Sequence, residues 1–161
     1  MRLSETRPSD PHATEIVRSY MTEVASRYYG RPASADEIDQ ALAEEPYDDL
    51  HGTSGLLLVV VDDDRPVACA GARMLGDIAE LTKVFTLPSH RGRGLSRALL
   101  EQVEVACRER GVSVLRLDTR SELAEACALY ERLGFEQMEP FNAEPYSDRW
   151  YAKSIASEDR P

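Results

Sequence analysis

"VFTLPSHRGRGLSRALL", residues 84–100, sets Arg91-Gly92-Arg93-Gly94 between an apolar strand and an amphipathic helix. Val84, Phe85 and Thr86 have the β-branched and aromatic character of a strand. Leu95, Ala98, Leu99, Gln102, Val103 and Ala106 make a mostly apolar stripe at helical spacing, and Gly111 ends it. The first backbone N–H groups of a helix lack partners, and the helix dipole adds positive potential there. Gly92 and Gly94 permit unusual φ values and let an anion approach the backbone closely. Arg91 and Arg93 add charge. The arrangement reads as a pyrophosphate cradle. A plain tight turn with solvated arginines is the alternative, and the position between strand and helix favours phosphate.

Two common phosphate motifs fail on their deciding residue. A P-loop needs G-x-x-x-x-G-K-[ST], and no glycine here is followed by Lys. A dinucleotide fingerprint counted from Gly92 and Gly94 puts Arg97 at its third position, where close helix–strand packing demands Gly or Ala.

Working outward, residues 10–30 read as a helix capped by Asp10, with Pro11 at its first position and Gly30 at its end. Ile16, Tyr20, Val24 and Tyr28 recur at spacing four along one face. Ser34 and Glu37 form a capping-box pattern for a second, shorter helix. Residues 55–75 read as a hairpin, with its turn made by Asp62, Asp63, Asp64 and Pro66. A strand follows over residues 77–87. It places Ile78, Glu80, Thr82, Val84 and Thr86 on one face and Ala79, Leu81, Lys83, Phe85 and Leu87 on the other. After the glycine-led helix come a strand ("VSVLRLDTR"), a helix capped by Ser121 and closed by Gly134, and two last strands. The tail, residues 156–161, reads as frayed. The order strand–helix–strand–helix–strand gives a single α/β domain over residues 1–161.

The bulk numbers exclude several classes. The chain has 161 residues, enough for one domain with its own core. Its 29 acids against 19 bases give a net charge of −10, which argues against a nucleic-acid partner and suits a cationic one. The longest apolar run, residues 56–61, is too short for a membrane span. "MRLSETRPSD" lacks the apolar segment of a secretory signal. Cys69, Cys107 and Cys127 show no C-x-x-C, read as small buried hydrophobes and suit a reducing cytoplasm. His12, His51 and His90 are dispersed, and the acidic triplet lacks EF-hand spacing, so no metal site is expected. "HGTSG" is not a nucleophile elbow, because Gly55 follows Ser54 at once.

The quoted stretch resembles motif A of the GNAT superfamily of N-acetyltransferases. Its core Q/R-x-x-G-x-G/A is matched by Arg91-Gly92-Arg93-Gly94-Leu95-Ser96, with Ser96 in place of a small residue. "LRLDTRSELAEACALYERLGF" is similar to the family's next strand and helix, and the likeness covers residues 56–135. It implies a mixed, mostly antiparallel sheet flanked by helices, with acetyl-CoA as cosubstrate. Backbone groups of Val84, Phe85 and Thr86 would pair with pantetheine in the manner of an added strand. The amides of Gly92, Arg93, Gly94, Leu95, Ser96 and Arg97 would hold pyrophosphate. Leu123 stands where the family often has an Asn.

Acetyl transfer needs a neutral amine, a stabilised oxyanion and a protonated leaving thiolate. An alkylamine has a pKa of about 10.4, so a carboxylate must take its proton at neutral pH. Glu80, on the strand of the pantetheine contacts, is the first candidate and Asp118 the second. Tyr130 is the candidate general acid, and a backbone N–H near Val84 the oxyanion donor. The acceptor is read as a primary amine of a small polar molecule, attacking the thioester directly. Tyr28, Tyr29, Tyr146 and Trp150 are candidate walls, with Asn142 and Glu144 as polar contacts. A non-catalytic acyl-CoA sensor and a protein-amine acetylase are the alternatives. A homodimer is left open.

Overall fold

The computed structural model describes residues 1–156. Seven strands form one sheet, in the order β1-β2-β3-β4-β5-β7-β6. They are β1 (Arg2–Glu5), β2 (Gly55–Asp62), β3 (Arg65–Leu75), β4 (Ile78–Thr86), β5 (Val114–Thr119), β6 (Glu136–Gln137) and β7 (Arg149–Ser154). Helices α1 (Pro11–Tyr29) and α2 (Ala35–Glu44) precede β2; α3 (Leu95–Glu109) joins β4 to β5, and α4 (Ala124–Arg132) follows β5. Every pairing is antiparallel except β4 with β5.

Strand β2 is apolar on both faces because it is covered on both. Leu56, Leu58 and Val60 pack with Leu99 and Val103 of α3. Leu57 and Val59 pack with Ala13, Ile16 and Val17 of α1. Asp63 and Asp64 both take positive φ, 50° and 62°, so two aspartates make the hairpin turn. Pro66 sits inside β3 opposite a register shift at Val60/Val61, where a missing N–H is tolerated, not in the turn. β1 escaped the sequence reading because RLSE offers only one apolar side chain.

The helix caps match their expectations at α1 and α2. The Asp10 carboxylate accepts from the His12 amide at 2.9 Å, and Ser34 and Glu37 complete their reciprocal box. The α1 stripe does not run through Tyr28, which is 51% exposed. A spacing of four overshoots the 3.6-residue turn by about 40°, so three steps rotate Tyr28 about 120° away from Ile16. Ser121 does not cap α4. Its amide and hydroxyl both donate to Asp148, at 2.7 and 2.8 Å, and the helix starts at Ala124 with Leu123 as an N-cap that offers no side-chain acceptor. Of the expected frayed tail, residues 157–161 lie outside the described residues. Cys69, Cys107 and Cys127 are free and buried, and burial pushes the first two thiols up to about 12 and about 11.

Candidate functional site

Strands β4 and β5 pair only from Ile78–Val114 to Glu80–Arg116, then part. From Leu81 onward the β5 side of β4 has no strand partner. On its other edge β4 stays paired with β3, but the register shifts so that Lys83 and Val84 both stand opposite Ala70. This is a β-bulge, and Lys83 takes φ +57° to make it. A left-handed non-glycine residue costs roughly 1–2 kcal/mol. The Cys69 thiol donates to the Lys83 carbonyl at 3.0 Å and helps to fix the distortion.

The bulge reverses the alternation expected along β4. Ala79, Leu81 and Val84 belong to the core under α3. Phe85 belongs to the core under α1, against Tyr20. Glu80 therefore does not share a face with Val84 and Thr86, as strict alternation requires; the inserted residue puts them on opposite faces. No glycine or asparagine marks Lys83 as a residue of positive φ, so the sequence carried no sign of it.

At the end of β4 the glycine loop takes the form its residues predict. Gly92 and Gly94 have φ of 80° and 76°, and Gly94 is the N-cap of α3. Among the described residues, no protein acceptor is bonded to the amides of residues 92–97. Ser96, at the small-residue position, bonds the Thr86 hydroxyl at 2.6 Å and ties the helix start to the strand end. Arg91 differs from expectation. Its Nε donates to the Thr86 carbonyl at 3.0 Å, and its Nη2 donates to both Glu23 oxygens at 2.8 Å. Its charge is thus matched by α1. Arg93 is exposed, and Arg97 pairs with Glu101 at 3.0 Å on the same helix.

Two cavities meet at this place. A groove of about 380 Å³ runs along Val84, Phe85 and Thr86 to the glycine loop. A second cavity, about 470 Å³, is walled by Glu80, Lys83, Asp118, Asn142 and Glu144. Tyr20, Val84, Leu123, Ala126 and Tyr130 line both. The Tyr130 ring is wedged against Phe135 and Tyr151, at centroid distances of 5.7 and 6.0 Å. Burial raises its phenol well above the ordinary value, so it stays protonated at neutral pH.

The carboxylates in the second cavity are held unequally. Arg116 donates from Nε and Nη2 to one Glu80 oxygen, at 3.2 and 2.7 Å, while stacking over Phe141 at 4.1 Å. Among the described residues the second Glu80 oxygen has no protein donor. Asp118 has one bond on each oxygen, from Ser147 at 2.6 Å and Asn142 at 2.9 Å. Trp150 donates to Asn142 at 2.9 Å, so it braces the wall. Lys83, an ordinary strand residue by alternation, is 5% exposed and lines this cavity. Burial lowers its proton affinity, and Glu45 opposes that shift.

A family model described as the acetyltransferase (GNAT) family matches residues 18–135. The chain belongs to this family. The ribosomal protein bS18 alanine N-acetyltransferase of Salmonella typhimurium is 40% identical over 86 residues, which are 53% of this chain and 58% of that protein. The uncharacterized N-acetyltransferase YjgM of Escherichia coli is 44% identical over 63 residues, 39% of this chain and 38% of that one. The chain thus spans less than two thirds of the length of either relative. A GNAT acetyltransferase from Staphylococcus aureus Mu50 superposes with a TM-score of 0.76 at 17% identity, covering 96% of this chain and 99% of that one. PaiA N-acetyltransferase from Thermoplasma acidophilum, in complex with coenzyme A, gives 0.73 at 16% identity, with 96% and 99% covered. At these identities the likeness speaks for the fold. The neighbours cover nearly the whole chain, including the seam where β4 and β5 part. Among the described residues no helix is long and apolar enough to cross a membrane, and no group of three or more His, Cys, Asp or Glu side chains converges.

Proposed function

We propose that the chain transfers an acetyl group from acetyl-CoA to a primary amine of a small polar molecule by direct attack. The observation that carries this reading is the junction of the two cavities at Val84 and Tyr130. The donor's features fit the groove. The unbonded amides of residues 92–97 and the dipole of α3 suit a pyrophosphate. The unpaired edge of β4 suits an extended arm with amide groups.

In this reading Val84 offers its backbone N–H to the carbonyl oxygen as negative charge develops there. Glu80, through its free oxygen or an intervening water, accepts the proton lost by the amine. Tyr130 gives its proton to the departing sulfur. The N–C bond forms as the C–S bond breaks, and coenzyme A leaves as the free thiol. Asp118 is the second choice of base, and its two hydrogen bonds suit a bracing role better. Leu123 leaves the groove without a polar side chain at the start of α4, so contacts there fall to backbone groups.

The bS18 alanine N-acetyltransferase relatives favour a second reading, a protein N-terminal amine. One experiment separates them. Thiol release is followed with acetyl-CoA against small primary amines and against short peptides with free N-termini. Release with small amines, with one acetyl group added to the product by mass, is expected. Release with peptides alone would replace the reading with the second one. Tight acetyl-CoA binding without release to any acceptor would favour a sensor module.

A further inference from the structure

A third cavity, about 350 Å³, opens between α1, α2 and the segment before β7. It adjoins the acceptor cavity through Glu44 and Glu45, which line both. Its walls combine exposed aromatic rings with carboxylates. Tyr28 stacks edge-on with Tyr29 and Tyr146, at centroid distances of 5.3 and 5.1 Å. Two of the three rings already carry a cation of the protein. Arg31 lies 4.9 Å over Tyr29, and Arg120 lies 5.2 Å over Tyr28.

The remaining ring, Tyr146, stands beside acids that hold no cation at ion-pair distance among the described residues. Among the described residues Glu44 and Glu45 have no Lys, Arg or His within ion-pair distance. Glu44 accepts only from the Gln40 amide, at 3.0 Å. Glu45 is half-buried and accepts no side-chain hydrogen bond. Burial holds its carboxyl above the usual range, and Glu144, Asp118 and Glu44 add to this against Lys83. Glu45 is partly buried and Glu44 exposed; Lys83 opposes the Glu45 charge from beyond ion-pair distance, so a further cation relieves the grouped carboxylates. An aromatic ring beside them strengthens the attraction when the cation is partly desolvated.

We propose that this aromatic and acidic recess is a second subsite for the acceptor, which binds a distal ammonium while a proximal amine reacts at Val84. The acceptor class is a small di- or polyamine. The proposal rests on the transfer reaction proposed above and adds the identity of its acceptor. Lys83, at the inner end of the path, would favour a rival class, amines that carry a carboxylate, and the test includes this pair.

The test compares kcat/KM for α,ω-diamines of three to eight carbons with monoamines of equal length, and 1,5-diaminopentane with lysine. The wild-type ratio of diamine to monoamine is expected to rise with length to about tenfold or more, the scale of one desolvated cation–π contact with a nearby carboxylate. Glu44→Gln and Tyr146→Leu, both at exposed positions, should collapse that ratio toward one. A ratio near one at every length, a ratio unmoved by both variants, or a preference for lysine over 1,5-diaminopentane would overturn the subsite while leaving acetyl transfer intact. Calorimetry with 1,8-diaminooctane alone separates the two failures. Binding lost in Glu44→Gln, without thiol release in the wild type, would keep the subsite and retire the reaction. Equal or absent heats in both proteins would retire the subsite.

Discussion

The proposed donor groove and the proposed acceptor cavity share a wall, yet they are built from different materials. The groove uses backbone. On the proposed reading its anion site is a row of unbonded amides from two left-handed glycines into one helix, and its arm site is the open edge of β4. Cations near it are largely matched within the protein, as Arg91 with Glu23 shows. The cavity read as the acceptor's uses side chains from α2, β4, β5 and the segment before β7, nearly half of them charged. Backbone sites serve a ligand that does not vary. Side-chain sites can change substrate without touching the scaffold.

The largest effect is expected where the two materials meet. Tyr130→Phe removes a proton donor and one oxygen from a packed ring. kcat should fall about 10²–10⁴-fold, with coenzyme A affinity retained, since general acids contribute on that scale. Stopped-flow thiol release, paired with calorimetry for coenzyme A, checks both halves. An unchanged rate of the chemical step would move the proton donor elsewhere.

Next comes the backbone site. A Cβ at Gly94 meets nothing within 4 Å, so Gly94→Glu has space, but its φ of 76° strains any L side chain. The strain is roughly 1–2 kcal/mol, survivable for a domain with several kcal/mol of stability. The new carboxylate would occupy the positive end of α3 in place of phosphate. Coenzyme A affinity should fall about 100-fold while the circular dichroism spectrum is kept. Unchanged affinity would show that the loop is not the anion site.

Legibility in the sequence follows the same division. Gly92, Gly94, the stripe of α3 and the hairpin were readable because a backbone requirement leaves a residue-specific mark. The acceptor cavity was readable only as scattered candidates. Arg116 holding Glu80 and Ser147 bonding Asp118 are contacts between segments that no local spacing encodes. The bulge at Lys83 is the sharpest case. It is a backbone feature carried by a residue with no preference for left-handed φ, and missing it put Glu80 on the wrong face relative to Val84.

Glu80→Gln tests the acceptor side directly. The variant nearly conserves volume and weakens the bond to Arg116 without removing an acceptor. If Glu80 takes the amine's proton, kcat/KM should fall about tenfold or more near pH 7. The deficit should shrink as pH rises toward the amine pKa of about 10.4, where the free base is already abundant. Profiles that stay parallel at every pH would assign Glu80 to orienting Arg116 and the wall around Phe141.

The smallest expected effect concerns the cost of the acceptor cavity. Lys83 is 5% exposed, strained in φ, and among the described residues has only the Thr82 hydroxyl, at 3.3 Å, as a side-chain hydrogen-bond partner. Burial lowers its proton affinity below the ordinary value of 10.5, while Glu45 offsets part of that shift. The folded state therefore disfavours the charged form, and the unfolded chain binds more protons between the folded pKa and 10.5. Stability must rise with pH across that window and reach its reduced plateau below the folded pKa. Lys83→Met removes the charge and keeps the length of the stem. Replacing a poorly paired buried charge with a well-packed apolar group stabilises by about 1 kcal/mol or more, or about 2–4 °C in Tm for a chain of this size. Part of the gain is lost because Glu45 then faces Glu44, Glu144 and Asp118 without an opposing charge. Melting curves from pH 7 to pH 10.5 should show the variant ahead at pH 7 and the gap closing toward pH 10.5. A variant that melts lower at pH 7, or a gap independent of pH, would mean that Lys83 is a stabilising strut and that the acceptor cavity carries no such cost.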